Sequence, residues 1–472
     1  MDCCEEVIKR ISDILETQPI DEIGIIFDAS LPMVFYEDRK LGISKLVVRD
    51  VFKRCLQVMY NDDRTASSHD LVRATRVLLI IKGDFSIVYN CRKKLLEDNY
   101  ISLDEEIPFL ALIFQNHPKS PSGWQHRRWC ICRSKFDVSS RSLSLSELET
   151  ERELCRAMCE RYPKNYYAWT HRLWLLQFMS NGQLMEELLF TEGWLHAHVS
   201  DHSAANHRIQ VAHHILKSCP STKEYIFNYC LREAYLDADS SHFIELSSIS
   251  MNKENRDALD HFSLSRFPVV FIGYLLYVSY CLITGRPGHE SLWYHRRSLF
   301  EVLMHVVSHS AVDTYPLPED DCLTDEIDIP LSADRGDGDS RDERKCIMKA
   351  AYQELFHQLA GVLEGGGPIH RWLYSFIQSE LQLVHRCTVD ESVWSFEEQR
   401  LNAIKYATFV LDRLLRGSGA CHKLYQRQVH EFESMRLHWN SMLIVSGRVA
   451  SCRCKEVDYF CTIILLIIIS SF

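Results

Sequence analysis

Tyr162-Pro163-Lys164-Asn165-Tyr166-Tyr167-Ala168-Trp169-Thr170-His171-Arg172-Leu173-Trp174 decides the fold, because the chain repeats it. His117-Pro118-Lys119-Ser120-Pro121-Ser122-Gly123-Trp124-Gln125-His126-Arg127-Arg128-Trp129 follows the same frame, as does Pro287-Gly288-His289-Glu290-Ser291-Leu292-Trp293-Tyr294-His295-Arg296-Arg297. In these three copies proline lies six residues before the tryptophan and arginine three after it. Two weaker copies place Tyr89 and Ala205 at the tryptophan position and end on Arg92 and Arg208. The anchors at 89, 124, 169, 205 and 293 are spaced 35, 45, 36 and 88 apart. Periods of this size indicate repeated helical units. The spacing predicts an all-α chain, a right-handed αα superhelix built as a solenoid of antiparallel helix pairs, with the last step about two units long.

Each clear copy reads as a helix boundary. The proline ends the preceding helix, because the residue before it is pushed out of the α region. Ser120, Asn165 and Asp201 are then N-caps, with Pro121 and Tyr166 at the first helical position. The first helical residue, the tryptophan and the arginine are spaced i, i+3, i+6, which predicts that they share a helix face. A buried indole contributes about 2–3 kcal/mol, and its N–H needs a partner. The arginine suits carbonyls or a carboxylate at the junction with the next repeat. Trp124, Arg127, Trp169, Arg172, Trp293 and Arg296 are therefore expected to pack the repeats. His126, His171, His207 and His295 recur in the same way and are read as packing histidines.

The 472 residues carry a net charge of -11, which excludes a nucleic-acid surface. Eighteen cysteines lack the spacing of a disulfide framework, and the acidic opening Met1-Asp2-Cys3-Cys4 is no signal peptide. Reduced thiols and a cytoplasmic location are expected. Cys130/Cys132 and Cys452/Cys454 stand too close together for a usual zinc site, so no metal is expected on this chain.

Residues 1–65 form an N-terminal extension with helical patterns at 5–17 and 45–59 and an irregular stretch at 20–37. The repeats occupy 66–312, and 216–286 accommodates an additional helix pair. Residues 313–345 are an acidic linker whose composition cannot bury a core. Within 346–445 helical periodicity returns at about 346–362, 369–386 and 395–416, and 446–472 is a tail of unknown role. Residues 267–285 run 19 long without a charge, the length of a membrane span. Their place before the Trp293 copy favours a buried helix, with a membrane-anchored adaptor as the competing reading. No segment alternates with period two for long, so β structure is expected to be minor.

Lys119 and Lys164 stand immediately before their caps, where the other copies have Asp84, Ser200 and Gly288. Helix N-termini carry free N–H groups and partial positive charge, so two lysines on one rim suit an anion. Tyr166 and Tyr167 are candidate hydroxyl donors beside them. Solvated loop lysines are the alternative.

The phrase Pro-Lys-Asn-Tyr-x-x-Trp-x-x-Arg, complete at 163–172, resembles the α-subunit repeats of protein prenyltransferases. Asp21-Glu22-Ile23-Gly24, Lys40-Leu41-Gly42 and the stretch from His198 to Ser203 narrow the resemblance to α subunits of type III geranylgeranyltransferase. The resemblance implies helix pairs wrapped around a β subunit, that of Rab geranylgeranyltransferase. Zinc and the isoprenoid pocket would then belong to the partner, with geranylgeranyl diphosphate as co-substrate. By motif position Lys119 is implied as the catalytic lysine near the diphosphate, with Lys164, Tyr166 and Tyr167 as diphosphate-binding residues. The implied reaction moves geranylgeranyl to carboxy-terminal cysteines, including that of a farnesylated SNARE. The chain is then an α subunit inactive alone. A non-enzymatic helical-repeat scaffold that binds a peptide or protein partner is the alternative. Pro121 departs from the tyrosine usual after the cap, and Tyr167 from a histidine common in the farnesyltransferase version.

Overall fold

The computed structural model describes residues 3–60, 67–134, 143–235, 267–310 and 397–416, with single positions at 356–387, 437 and 441. The acidic 313–345 segment, the tail at 446–472, and Cys452 and Cys454 lie outside the described residues. The chain is an all-α helical-repeat protein, with one small sheet among the described residues. It divides into two compact units, 1–180 and 181–472.

The first unit begins with α1 (Cys3–Thr17), β1 (Glu22–Ile26), β2 (Val34–Glu37), β3 (Lys40–Ser44) and α2 (Lys45–Met59). β3 is central, parallel to β1 and antiparallel to β2. Asp38 and Arg39, with φ of 47° and 61°, make the two-residue turn between β2 and β3. Two central residues at positive φ match the right-handed twist of a tight hairpin. The extension is not a free appendage. Its Val7, Ile11, Ile23, Leu41, Ile43 and Val51 share one apolar core with repeat residues as far as Cys130.

Three helix pairs follow: α3 (Ser68–Ile81) with α4 (Ser86–Glu97), α5 (Leu103–Asn116) with α6 (Pro121–Ser134), and α7 (Leu145–Arg161) with α8 (Tyr166–Leu175). Helix α3 starts on a capping box of Ser67 and Asp70, and α7 on one of Ser144 and Glu147. Odd-numbered helices of neighbouring pairs touch one another, and so do even-numbered ones, which makes two layers. The three motifs of this unit therefore each open a helix of one layer. Gly123 in α6 allows the layer to close tightly, since a Cβ there would meet Tyr89 Oη at 2.9 Å.

The second unit holds α9 (Asn181–Ala197), α10 (His202–Lys217), α11 (Pro220–Tyr235), α12 (Phe267–Gly285), α13 (Glu290–Ser310) and α14 (Glu397–Arg416). Helix α10 packs directly on α13, and α9 on α12, while α11 lies against α9 and α12. The fourth and fifth copies are thus neighbours. Within the long step from 205 to 293, α11 is the described helix beyond the pair α12–α13, and residues 236–266 lie outside the described residues. Helix α12 is long and apolar enough to cross a membrane, yet 61% of its most apolar window is buried.

Candidate functional site

The motif helices begin in a staircase of cap contacts. Ser120 Oγ donates to the Gly83 carbonyl at 2.8 Å, and Asn165 Nδ2 donates to the Pro118 carbonyl at 2.9 Å. In the second unit Ser291 Oγ donates to the Val199 carbonyl. In each case a cap-turn side chain reaches the carbonyl six residues before the anchor of the preceding copy. The anchor itself holds the same atom. Trp124 Nε1 donates to Pro118 O at 2.8 Å, and Tyr89 Oη to Gly83 O at 2.8 Å. Tyrosine therefore replaces tryptophan without loss of that bond. In the fourth copy Ala205 supplies no indole, and Trp194 of α9 donates to the Asp201 cap at 3.2 Å instead.

This staircase positions the sequence-selected lysines. Lys119 Nζ donates to the Pro163 carbonyl at 3.4 Å, so its ammonium lies against the turn that carries Lys164. Both lysines are exposed. Lys164 sits at φ 60°, the left-handed region, where the fifth copy has Gly288 at φ 86°. Tyr166 is 61% exposed, Tyr167 is half-buried, and their rings meet edge to face at 5.5 Å. The rim of α6 and α8 thus gathers Lys119, Lys164, Tyr166 and Tyr167. An anion with several oxygens suits such a donor set.

Trp124, Trp169 and Trp293 are 2–4% exposed, and Arg127, Arg172 and Arg296 0–3%. The first helical residue does not share their face. Pro121, Tyr166, His202 and Glu290 are all exposed. At 100° per residue the i, i+3, i+6 set fans over about 120°, and the first member stands on the open turn.

The arginines and histidines form a second repeated device. Arg92 Nε donates to Glu106 at 2.8 Å, and His126 Nε2 meets the same carboxylate at 2.9 Å. One repeat later Arg127 Nε and Nη2 donate to Glu151 at 2.9 and 2.7 Å, and His171 Nε2 meets it at 3.0 Å. His207 and Glu187 pair at 2.7 Å in the second unit. Each glutamate precedes its histidine by 20 residues. Arginine donors reach Ile107, Arg152 and Leu276 carbonyls at the same offset, 2.7–3.0 Å away. Burial would raise the Glu106 and Glu151 carboxyls, but Arg92 with His126 and Arg127 with His171 hold them at about 2. Burial lowers His126 and His171 against the pull of those carboxylates. The glutamates are the residues sequence reasoning missed. Their constant offset was the signal available.

The fifth copy breaks the pattern. Leu275 stands 20 residues before His295, and both ring nitrogens of this buried histidine lack a hydrogen-bond partner among the described residues. Burial first, then Arg208 and Arg296, lower His295 to about 3. Arg296 instead grips Glu380 at 2.7 and 2.6 Å, which Tyr406 Oη also contacts at 2.6 Å.

The family description "Protein prenyltransferase alpha subunit repeat" matches residues 103–134 and 148–179, spanning α5–α6 and most of α7–α8. The chain is 29% identical over 325 residues to protein prenyltransferase alpha subunit repeat-containing protein 1 of Danio rerio, covering 63% of this chain and 71% of that protein. The Homo sapiens protein of the same name is 28% identical over 332 residues, or 64% and 78% of the two chains. The alpha subunit of geranylgeranyl transferase type-2 from Saccharomyces cerevisiae is 23% identical over 191 residues, 38% of this chain and 57% of that one.

Proposed function

We propose that this chain, whose residues 103–134 and 148–179 match the protein prenyltransferase alpha subunit repeat, is the α subunit of a heterodimeric protein geranylgeranyltransferase, inactive alone. Its partner is a prenyltransferase β subunit, that of Rab geranylgeranyltransferase. The acceptors are carboxy-terminal cysteines of proteins, a farnesylated SNARE among them, in the cytoplasm. Among the described residues no three His, Cys, Asp or Glu side chains are grouped to hold a metal. Zinc, which would steady the attacking thiolate, belongs in this proposal to the partner.

The thiolate sulfur forms a bond to C1 of the geranylgeranyl chain while the C1–O bond breaks, and diphosphate leaves with the electron pair. Charge therefore grows on the leaving oxygens. Lys119 offers a preplaced ammonium for that charge, and a cation fixed before reaction costs no reorganisation when the bond breaks. Lys164 Nζ and the hydroxyls of Tyr166 and Tyr167 hold the remaining oxygens.

One observation supports this assignment above the rest. Lys164 keeps a lysine in a left-handed conformation that glycine adopts freely at Gly288. A side chain retained there costs about 1 kcal/mol, which is hard to explain by packing because Lys164 is exposed.

Lipid transfer by the purified heterodimer tests the assignment. Lys119→Ala is expected to lower turnover about a hundredfold with subunit association intact. Lys164→Gly should leave the melting temperature unchanged or higher, yet also lower turnover. Wild-type turnover in both variants removes the lysines from the site. Repeated failure to co-purify any prenyltransferase β subunit would favour a non-enzymatic scaffold.

A further inference from the structure

A groove of about 480 Å³ lies between α13 and α14, one turn past the Trp293–Arg296 motif. Its size is that of a small-molecule site. Two of its polar groups have no hydrogen-bond or ion-pair partner among the described residues. Arg297 stacks its guanidinium face on Phe409, 4.4 Å from the ring centre, and on Tyr294 at 5.3 Å. No carboxylate partners it among the described residues. Thr408 Oγ1 is buried and has no hydrogen-bond partner among the described residues.

The other charges in the groove are engaged. Arg413 Nε pairs with Glu301 at 2.7 Å, and Lys405 Nζ with Glu290 at 3.4 Å. Arg297, Lys405 and Arg413 against Glu301 and Asp412 leave the lining one positive charge in excess. A strongly charged ligand such as a nucleotide would meet Glu301 and Asp412. A single anionic group meets only the surplus.

We propose that this groove binds a monocarboxylate on a small apolar body. The planar carboxylate takes two parallel N–H donors from the Arg297 edge, whose face the aromatic rings already fix. The Thr408 hydroxyl donates the third bond, and the body of the ligand lies along Phe409. A guanidinium held by stacking loses little freedom on binding, which favours capture of a weakly charged ligand.

Calorimetric titration of the full chain with N-acetylphenylalanine, its carboxamide, and inorganic phosphate tests the assignment. The acid is expected to bind at least tenfold more tightly than the amide. Arg297→Ala and Thr408→Val should each weaken it tenfold or more, and Arg297→Lys by less. Thr408→Val removes an unsatisfied buried hydroxyl and should keep or raise the melting temperature, so lost binding there does not reflect unfolding. Equal binding of acid and amide, no binding at millimolar concentration, binding of phosphate alone, or wild-type affinity in Arg297→Ala would each overturn it.

Discussion

The same substitution should have opposite effects at two equivalent histidines. His171 hydrogen-bonds a buried carboxylate whose charge is otherwise met by Arg127, whereas His295 has nothing to bond among the described residues because Leu275 took the glutamate's place. Deleting one partner of a charged buried bond costs about 1.5–3 kcal/mol, while removing an unsatisfied buried polar group is neutral or favourable. Urea unfolding should show His171→Leu destabilised by that amount and His295→Leu unchanged or stabilised by about 1 kcal/mol. Two destabilised variants would mean that His295 has a partner. The motif histidines were legible as recurring buried residues, but their sequence frame looks the same at 171 and 295. The difference lies 20 residues upstream, where no local pattern points. Lys164 is a similar case, since its left-handed backbone is invisible in the residue type and emerges only beside Gly288.

Helix starts were readable because cap chemistry is local. Ser120 and Asn165 accept from the backbone N–H three residues on, Asp201 from those two and three on. Helices α1, α2 and α14 fall where periodicity placed them. The small sheet was not foreseen as such, because strands of four or five residues are too short to establish an alternation. Pairing between helices gives a pH dependence. Glu106 and Glu151 stay ionised in the folded chain down to about 2, against an ordinary 4.5. Unfolded chains take up protons first, so this contribution is complete above about pH 4.5 and lost as pH falls towards 2. His126, His171 and His295 are held neutral below their ordinary 6.5, so unfolding there also gains protons as pH drops. The denaturation midpoint should therefore begin to fall near pH 6.5 and fall further below 4.5. A midpoint flat from pH 7 to 5 would contradict neutral histidines.

At the scale of the molecule, repeat counting gave the architecture and read the step from 205 to 293 as about two units long. Spacing along a chain cannot distinguish an extra unit in a stack from a segment set beside it. The contact of α10 with α13 makes the fourth and fifth copies neighbours. Helix α12 posed a parallel ambiguity, since length and apolarity fit a membrane as well as a core. Its burial against α9, α11 and α13 predicts that the expressed chain stays in the supernatant after alkaline carbonate extraction and high-speed sedimentation. Retention in the pellet would restore the membrane reading.

Where Arg92 and Arg127 reach forward to Glu106 and Glu151, each ion is neutralised by a residue of the adjoining unit. Excising one whole unit joins a cation to the next anion and conserves neutrality. A cut between the two helices of a pair leaves an orphan ion in a dry interior, at a penalty of several kcal/mol. Arrays wired this way can lengthen or shorten only by complete modules, while extra chain is tolerated in the connections, where α11 is found.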